Sequence, residues 1–438
     1  MKRAVAALLS TAAGLGLMSA ALPAVSRAAP AAVPLALSDP AVAAVDPIIE
    51  WNRFLLALQA MPGNQPASVH ATYDLAIMHA AMYDAVVSID RSSRPYLTAI
   101  RGPRHASLAA AANTAARDTL VALYPALQTA IDQEYASLLS QLPSDRRLSD
   151  GIRVGGIVAG RVLAQRANDG SGASLIPFHP GTEPGDYQLT PPAFAQPAFT
   201  HWRFVKPFVL RDADQFRPPP PPALRSSKYA AAINEVQNLG AATASTRTPD
   251  QTQIGVFWNP PIWGTWNRVA QSAVQAQHGT LSQEARTFAA LNLAFADSVI
   301  AFYDAKYSYR LWRPVTAIRD ADADGNPATI ADPSWTPLSA TAPDPSYPGA
   351  HGTISAAGAA VLASIYGNDF PFTVTSPALP GVERSFTSFS EAQEEANVSR
   401  IYNGNHTRID QVAGENLGHD VADYVLENDL LPRIVRTP

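Results

Sequence analysis

Three short clusters of basic residues and histidines, all in the last third of the chain, contain the residue types that bind a tetrahedral oxyanion. They are Lys306-x6-Arg313-Pro314, Pro348-Gly349-Ala350-His351 and Ser399-Arg400-x5-His406. Together they supply three cations and two imidazoles in a chain whose formal net charge is −5. Charge-assisted donors bind the oxygens of such an anion, and an imidazole can bond its central atom or transfer a proton. Each residue alone is better explained as packing or surface charge, but together they predict one anion pocket.

The spacing within the first cluster predicts where its two cations point. Lys306 and Arg313 are seven residues apart, which is two turns of a helix. We therefore expect both side chains on one helix face, roughly 10 Å apart along the axis. Pro314 disfavours helical backbone at Arg313 and should end the element there.

The other two clusters lie where loops meet helices. Gly349 and Ala350 are small enough for backbone N–H groups to approach an oxyanion at a helix N-terminus, and His351 in the first turn would act as acid or base. Gly404 permits a sharp turn after Arg400, and His406 then precedes the last helix. There an imidazole could coordinate a metal-oxo centre or attack phosphorus.

The elements that position these clusters are predicted to be helices. Apolar residues recur at helical spacing from Asp46 to Asn168, and again after a capping box at Thr280 and Gln283. Proline and glycine crowd residues 171–265, which predicts an irregular connection with one short helix at Lys228 to Leu239. Further helices are predicted for Ala350 to Ile365 and for Thr407 to Leu426. No alternating strand pattern of useful length is present.

The predicted fold class is therefore all-α, with helical bundles joined by a long Pro-rich irregular connection. The predicted domains are a signal peptide (1–28), an N-terminal helical domain (46–170), the Pro-rich connection (171–275) and a C-terminal helical bundle (276–435) that carries the pocket.

Composition and the N-terminus indicate where the protein works. The basic start Met1-Lys2-Arg3, the apolar run to Val25 and the small residues around Ala28 predict a cleaved secretory signal, with an uncleaved membrane anchor as the alternative. The mature protein is expected to be exported to the periplasm or outside the cell, with no membrane attachment. Its negative charge argues against a nucleic-acid partner. The chain has no cysteine, which excludes disulfides and thiolate metal sites.

The order of the three clusters resembles the vanadium-dependent haloperoxidases and the related acid phosphatases of the type 2 phosphatidic acid phosphatase superfamily. Flanking segments such as LWRPVTAIR, YPGAHGT and SRIYNGNHTR are more similar to the bacterial haloperoxidase branch than to the lipid phosphatases. The resemblance implies vanadate as cofactor, and hydrogen peroxide, halide and a small organic acceptor as reaction partners. A homodimer is an expectation of the same kind.

By position, the resemblance implies that His406 is the vanadium ligand. It further implies that Lys306, Arg313 and Arg400 neutralise the vanadate oxygens and that His351 is the acid–base partner. Lys306 would also polarise peroxide for attack by halide, with vanadium as a Lewis acid. In the phosphatase alternative, His406 attacks phosphorus and His351 protonates the leaving alcohol.

The second cluster departs from the family pattern. The family usually has Pro-Ser-Gly-His where this chain has Pro348-Gly349-Ala350-His351. Loss of the serine hydroxyl at Gly349 is expected to weaken oxyanion binding by about 1.5–3 kcal/mol unless another donor replaces it. A third hypothesis is therefore an oxyanion-binding relative without catalytic activity.

Two other groups could hold metals. Asp320, Asp322 and Asp324, followed by Gly325, have the carboxylate spacing of a calcium loop, although Ala331 stands where that loop has glutamate. The alternative is a solvated acidic turn. His70 and His79 are nine residues apart, on opposite faces of any one helix, which predicts core roles for both.

Overall fold

The computed structural model describes residues 45–98 and 100–430, so the predicted signal peptide lies outside the described residues. The described residues belong to one compact unit. They contain thirteen α-helices and one two-stranded antiparallel hairpin, which confirms the all-α prediction. The division of the sequence into domains remains a prediction.

The helices of the first part are α1 (Pro47–Ala60), α2 (Ala71–Asp90), α3 (Leu108–Leu123), α4 (Gln128–Leu139) and α5 (Arg146–Arg166). Those of the second are α6 (Ser227–Leu239), α7 (Pro249–Phe257), α8 (Ile262–Gln277), α9 (Leu281–Tyr309), α10 (Pro314–Arg319), α11 (Ala350–Tyr366), α12 (Phe389–Tyr402) and α13 (Arg408–Asn428). The strands β1 (Phe372–Thr375) and β2 (Glu383–Phe386) lie between α11 and α12.

Helix α9 is the central element of the core. It begins at the predicted capping box of Thr280 and Gln283 and packs against α2, α11 and α13. Among the described helices it alone is long and apolar enough to cross a membrane, and its most apolar window is entirely buried inside the protein. Its apolar character is therefore accounted for by contacts with other helices. The helix ends at Tyr309, three residues after Lys306.

The Pro-rich connection is packed against this core. The carboxylate of Asp297 on α9 accepts the N–H groups of Phe208, Val209 and Leu210 at 2.6–2.8 Å. The hydroxyls of Tyr309 and Tyr347 donate to carbonyls in the proline run at 2.6 Å. These hydrogen bonds satisfy backbone groups that a segment without regular structure cannot pair internally.

Two predictions of secondary structure need correction, one in the connection and one between α11 and α12. The helix at Lys228 to Leu239 is confirmed as α6, but α7 and α8 show that residues 249–257 and 262–277 are helical as well. The prolines in this region favoured an irregular segment over these two helices. Pro249 and Pro261 in fact stand at helix starts, where proline is tolerated. The hairpin was also missed. Its strands have four residues each, too few for a recognisable alternation.

Helices α11 and α13 approach closely, and this brings the second and third clusters together. Glycines on α13 make the approach possible. A Cβ at Gly414 would meet the carbonyl oxygen of Gly349, and one at Gly418 would meet the carbonyl oxygen of Thr353. The N–H of Gly349 donates to the carbonyl of Asp410 at 2.8 Å, which ties the start of α11 to the first turn of α13.

Candidate active site

Lys306 and Arg313 meet at a shared carboxylate rather than on a shared helix face. The helix ends at Tyr309, Arg310 has left-handed backbone, and Arg313 is the N-cap of α10, so the prediction of one helix face was wrong. Asp344 lies between the two cations. Its Oδ1 is 3.1 Å from Lys306 Nζ and also accepts from Arg313 Nη2. Both cationic side chains are at most 1% exposed.

The charges in this cluster change one another's pKa. Burial lowers the pKa of Lys306 to about 8, although the negative charge of Asp344 opposes that shift. Burial alone would raise the pKa of Asp344, but the charges of Lys306 and Arg313 hold it below its ordinary value. At neutral pH Lys306 and Asp344 are therefore both charged, and the one carboxylate offsets part of the positive charge of the two cationic side chains.

His406 presents its two ring nitrogens to opposite kinds of partner. Nε2 lies 3.0 Å from Arg313 Nη1, and Nδ1 lies 3.4 Å from Asp410 Oδ2. Arg313 can only donate, so Nε2 carries a lone pair and the ring proton is on Nδ1, facing the carboxylate. Burial and the nearby charge of Arg313 lower the pKa of His406 well below its ordinary value. The imidazole is thus neutral, with its lone pair directed to the cationic cluster.

Asp410 is itself held in place. Its Oδ2 accepts the hydroxyl of Ser346 at 2.7 Å and the N–H of Thr407 at 2.8 Å, the second bond being part of the capping box of α13. Burial raises the pKa of Asp410 above its ordinary value, although these hydrogen bonds and the charge of Lys306 oppose the shift. The arrangement fixes the orientation of the His406 ring.

His351 lies in the first turn of α11, as predicted. Its Nε2 is 3.1 Å from the carbonyl oxygen of Trp258, so the proton is on Nε2 and the lone pair is on Nδ1. Burial, then the charge of Arg400, lowers the pKa of His351 well below its ordinary value. His351 is half-buried, and a neutral ring of this kind can accept a proton at Nδ1.

Arg400 completes the cluster from the last turn of α12. Its Nη1 donates to Asn259 Oδ1 at 3.1 Å, and its Nε has no hydrogen-bond partner in the part of the chain that the structure describes. Burial, then the charge of Arg313, lowers the pKa of Arg400 to about 9, so the side chain stays charged at neutral pH. A buried guanidinium with an unpaired N–H is a donor available to an anion.

The structure therefore brings the predicted cations and imidazoles into one electrostatically coupled group. Arg313 contacts His406 directly, and the charges of Lys306, Arg313 and Arg400 all act on the His406 ring. Gly349 and Ala350 differ in whether their backbone N–H groups are already hydrogen-bonded. The N–H of Gly349 is taken by the Asp410 carbonyl, whereas that of Ala350 has no backbone acceptor among the described residues. The helix N-terminus thus still offers a donor at Ala350.

Four residues of the cluster were not singled out from the sequence: Asp344, Ser346, Asp410 and Gln411. Asp344 and Ser346 lie immediately before the segment YPGAHGT, which begins at Tyr347. Asp410 was detectable as the N3 residue of a capping box after Thr407. Gln411 gave no sequence signal.

His70 and His79 are both buried, as predicted. His79 is hydrogen-bonded to Asn52 at 2.8 Å and stacks on Phe288. His70 is the N-cap of α2 and lies against Trp263 and Phe199. Burial lowers the pKa of His70 to about 3, and the charge of Asp344 opposes this shift. The charge of Asp344 therefore acts on the His70 ring.

The predicted calcium loop is not supported. Asp320 and Asp322 are exposed, and Asp324 is buried with both carboxylate oxygens used. They accept from the N–H of Asn326 at 2.6 Å and from the hydroxyl of Thr329 at 2.8 Å. In the described part of the chain, no group of three or more acidic or histidine side chains is arranged to hold a metal ion. Asp324 stabilises its own turn instead.

Comparison with known proteins agrees with this geometry. Residues 286–430 match the family model described as VCPO second helical-bundle domain. The vanadium chloroperoxidase of Curvularia inaequalis is 26% identical over an aligned length of 268 residues. The match covers 45% of this chain and 43% of that protein, so it spans less than half the length of that relative.

Solved structures of vanadium-dependent haloperoxidases have a similar fold. A bacterial vanadium-dependent iodoperoxidase superposes with a TM-score of 0.77 at 24% identity, covering 91% of this chain and all of that one. The holo form of a bacterial vanadium-dependent chloroperoxidase gives 0.64 at 16% identity, covering 89% and 94%. Residues 286–430 are therefore similar to the VCPO second helical-bundle domain, and the chain shares its fold with these solved vanadium-dependent haloperoxidases.

Proposed function

We propose that this protein is a vanadate-dependent haloperoxidase that uses hydrogen peroxide to oxidise halide. One observation carries the proposal. A neutral His406 directs the Nε2 lone pair into a buried group of cations, and Asp410 fixes its other nitrogen. A neutral imidazole with an oriented second nitrogen is the form that binds a metal centre.

The residues present fit vanadate. Its negatively charged oxygens need several charge-assisted donors, and Lys306, Arg313 and Arg400 are buried and charged together. Among the described residues, Arg400 Nε has no hydrogen-bond partner and the N–H of Ala350 has no backbone acceptor, so both are further donors for the anion. His406 Nε2 would be the ligand to vanadium. When bound, vanadate supplies a Lewis-acidic centre that activates peroxide.

The protein residues then have separate tasks. Lys306, Arg313 and Arg400 hold the oxyanion by neutralising its oxygens, and Asp410 and Ser346 hold the His406 ring in its orientation. His351 accepts a proton at Nδ1 while Nε2 stays bonded to the Trp258 carbonyl. Because an anion beside His351 favours its charged form, occupation of the pocket raises its pKa towards the range in which it can exchange protons.

The proposal is tested with purified protein lacking residues 1–28. Monochlorodimedone halogenation is measured with vanadate and hydrogen peroxide, using chloride, bromide and iodide in separate assays. We expect vanadate-dependent halogenation with at least one halide, abolished by His406→Ala. Halogenation that persists in His406→Ala would contradict the assignment of the ligand.

The same preparations distinguish the alternatives. Release of p-nitrophenol from p-nitrophenyl phosphate without any halogenation would move the assignment to the acid phosphatases. Vanadate binding without either activity would identify an oxyanion-binding relative. Export is part of the proposal, and N-terminal sequencing of the protein recovered from its source should find residues 1–28 removed. An intact N-terminus in the mature protein would contradict it.

A further inference from the structure

The side chain of Gln411 is buried beside Gly349, at the start of α11. It is 2% exposed, and neither Nε2 nor Oε1 has a hydrogen-bond partner among the described residues. A buried polar group without a partner is costly, about 1–3 kcal/mol, so most such groups in folded proteins are bonded to protein or water. Gln411 therefore has capacity for a ligand.

The amide of Gln411 lies directly against Gly349. A Cβ built on Gly349 would collide with Nε2 of Gln411 and would lie only 2.8 Å from its Cδ and 3.0 Å from its Oε1. The amide thus fills the space into which a side chain at position 349 would extend. That is the position where the family pattern has serine and this chain has none.

Gln411 is also held at the pocket by its place in the fold. It lies in the first turn of α13, five residues after His406 and next to Asp410, whose carbonyl binds the N–H of Gly349. The amide consequently lies where the N-termini of α11 and α13 meet. The partial positive charge of helix N-termini favours an anion there.

We propose that Gln411 is an oxyanion-binding residue whose Nε2 donates to the bound anion in place of the missing serine hydroxyl. Gly349 leaves free the space that the amide occupies, and a Cβ at this position would displace the end of the glutamine side chain. The inference rests on the proposed function only in that the pocket binds a tetrahedral oxyanion. The amide of Gln411 would then be a donor to the anion from outside the three clusters.

The test is a set of variants: Gln411→Met, Gln411→Ala, Gly349→Ser and the double variant Gly349→Ser/Gln411→Ala. Affinity for orthovanadate and for inorganic phosphate is measured by calorimetry without peroxide or halide, and thermal unfolding is followed in parallel. Methionine keeps the volume of glutamine but cannot donate. The control is Gln393→Ala, a buried glutamine whose Nε2 donates to Glu415 at 2.9 Å.

We expect Gln411→Met and Gln411→Ala to bind both anions about tenfold or more weakly, the range for a lost hydrogen bond to a charged group. Gly349→Ser alone should bind both anions more weakly, because the new Cβ displaces the amide from the space that it occupies. The double variant should recover affinity, since a serine hydroxyl then occupies the vacated space. Gln393→Ala should bind as the unmodified protein does.

Unchanged anion affinity in a folded Gln411→Met protein would overturn the inference, as would a double variant no tighter than Gln411→Ala. Neither result depends on halide chemistry. If the unmodified protein binds vanadate through Gln411 but halogenates nothing, the proposed function fails and this inference stands. If halogenation proceeds and Gln411→Met leaves affinity intact, the inference alone fails.

Discussion

Arg313 Nη1 lies 3.0 Å from His406 Nε2, and the two residues come from helix starts that are 93 positions apart in the chain. The contact places a permanent donor against the nitrogen that would bind vanadium. It holds the lone pair at Nε2 and keeps the imidazole neutral. Occupation of the pocket by an oxyanion would give Arg313 a charged acceptor in exchange for a neutral one.

Removal of the His406 imidazole should abolish tight vanadate binding while leaving the fold intact. His406→Ala removes the ligand nitrogen, and calorimetry should show vanadate affinity reduced to that of phosphate or weaker. The control is His105→Ala, at an exposed histidine paired with Asp150. We expect that variant to bind vanadate normally. Equal vanadate affinity in the two variants would refute the role of His406.

Ser346→Ala tests the orientation of His406. The Ser346 hydroxyl donates to Asp410 Oδ2, the atom that faces His406 Nδ1. Loss of such an outer contact weakens metal binding by about tenfold to a hundredfold in known sites. We expect vanadate affinity to fall by about tenfold, the lower end of that range, because the N–H of Thr407 still donates to Asp410 Oδ2. Calorimetry with vanadate checks the result, and Ser334→Ala, at a serine in an exposed turn, is the control.

Asp344→Asn should tighten oxyanion binding at pH 6. The substitution keeps the shape of the side chain but removes the negative charge between Lys306 and Arg313. An incoming anion then meets the full charge of both cations, and we expect affinity for phosphate to rise on the order of tenfold, about 1.4 kcal/mol. Weaker phosphate binding by the folded variant would mean that the carboxylate supports the site.

Anion binding should weaken as pH rises through about 8. Burial lowers the pKa of Lys306 to about 8, so its charge is present below that pH and lost above it. The measurement is sulfate affinity between pH 6 and 9, because the charge of sulfate does not change in this range. Lys306→Met should bind sulfate weakly at every pH and lack the inflection. An inflection that survives in Lys306→Met would assign the titration to another group.

Gly414→Ala should destabilise the protein by separating α11 from α13. The added Cβ meets the carbonyl oxygen of Gly349 and lies 3.0 Å from Thr353 Oγ1, and overpacking of this kind costs about 1–3 kcal/mol. Gly160→Ala on α5 is the matched control, because its Cβ would meet nothing within 4 Å. That change should stabilise by about 0.5–1 kcal/mol, since alanine suits a helix interior better. Denaturant unfolding compares the two.

Much of this arrangement could be predicted from the sequence because it depends on local patterns. The capping box at Thr280 and Gln283 and the helices after Gly349 and Thr407 follow from short-range chemistry, and the structure has them at those places. The order of the three clusters likewise depends only on the sequence, and residues 286–430 match the VCPO second helical-bundle domain. The short hairpin and the helices α7 and α8 could not be identified in this way. In them the local signals were too brief or were obscured by proline.

By itself, the sequence determined which residue types are available: three cations, two imidazoles and a glycine at position 349. Only the tertiary structure decided how they combine. Asp344 between Lys306 and Arg313, the Asp410 contact to His406 and the unpaired amide of Gln411 all depend on how α9, α11 and α13 pack. The physical reason is that burial and the distance between charges set pKa values and donor availability, and neither quantity is a property of linear order.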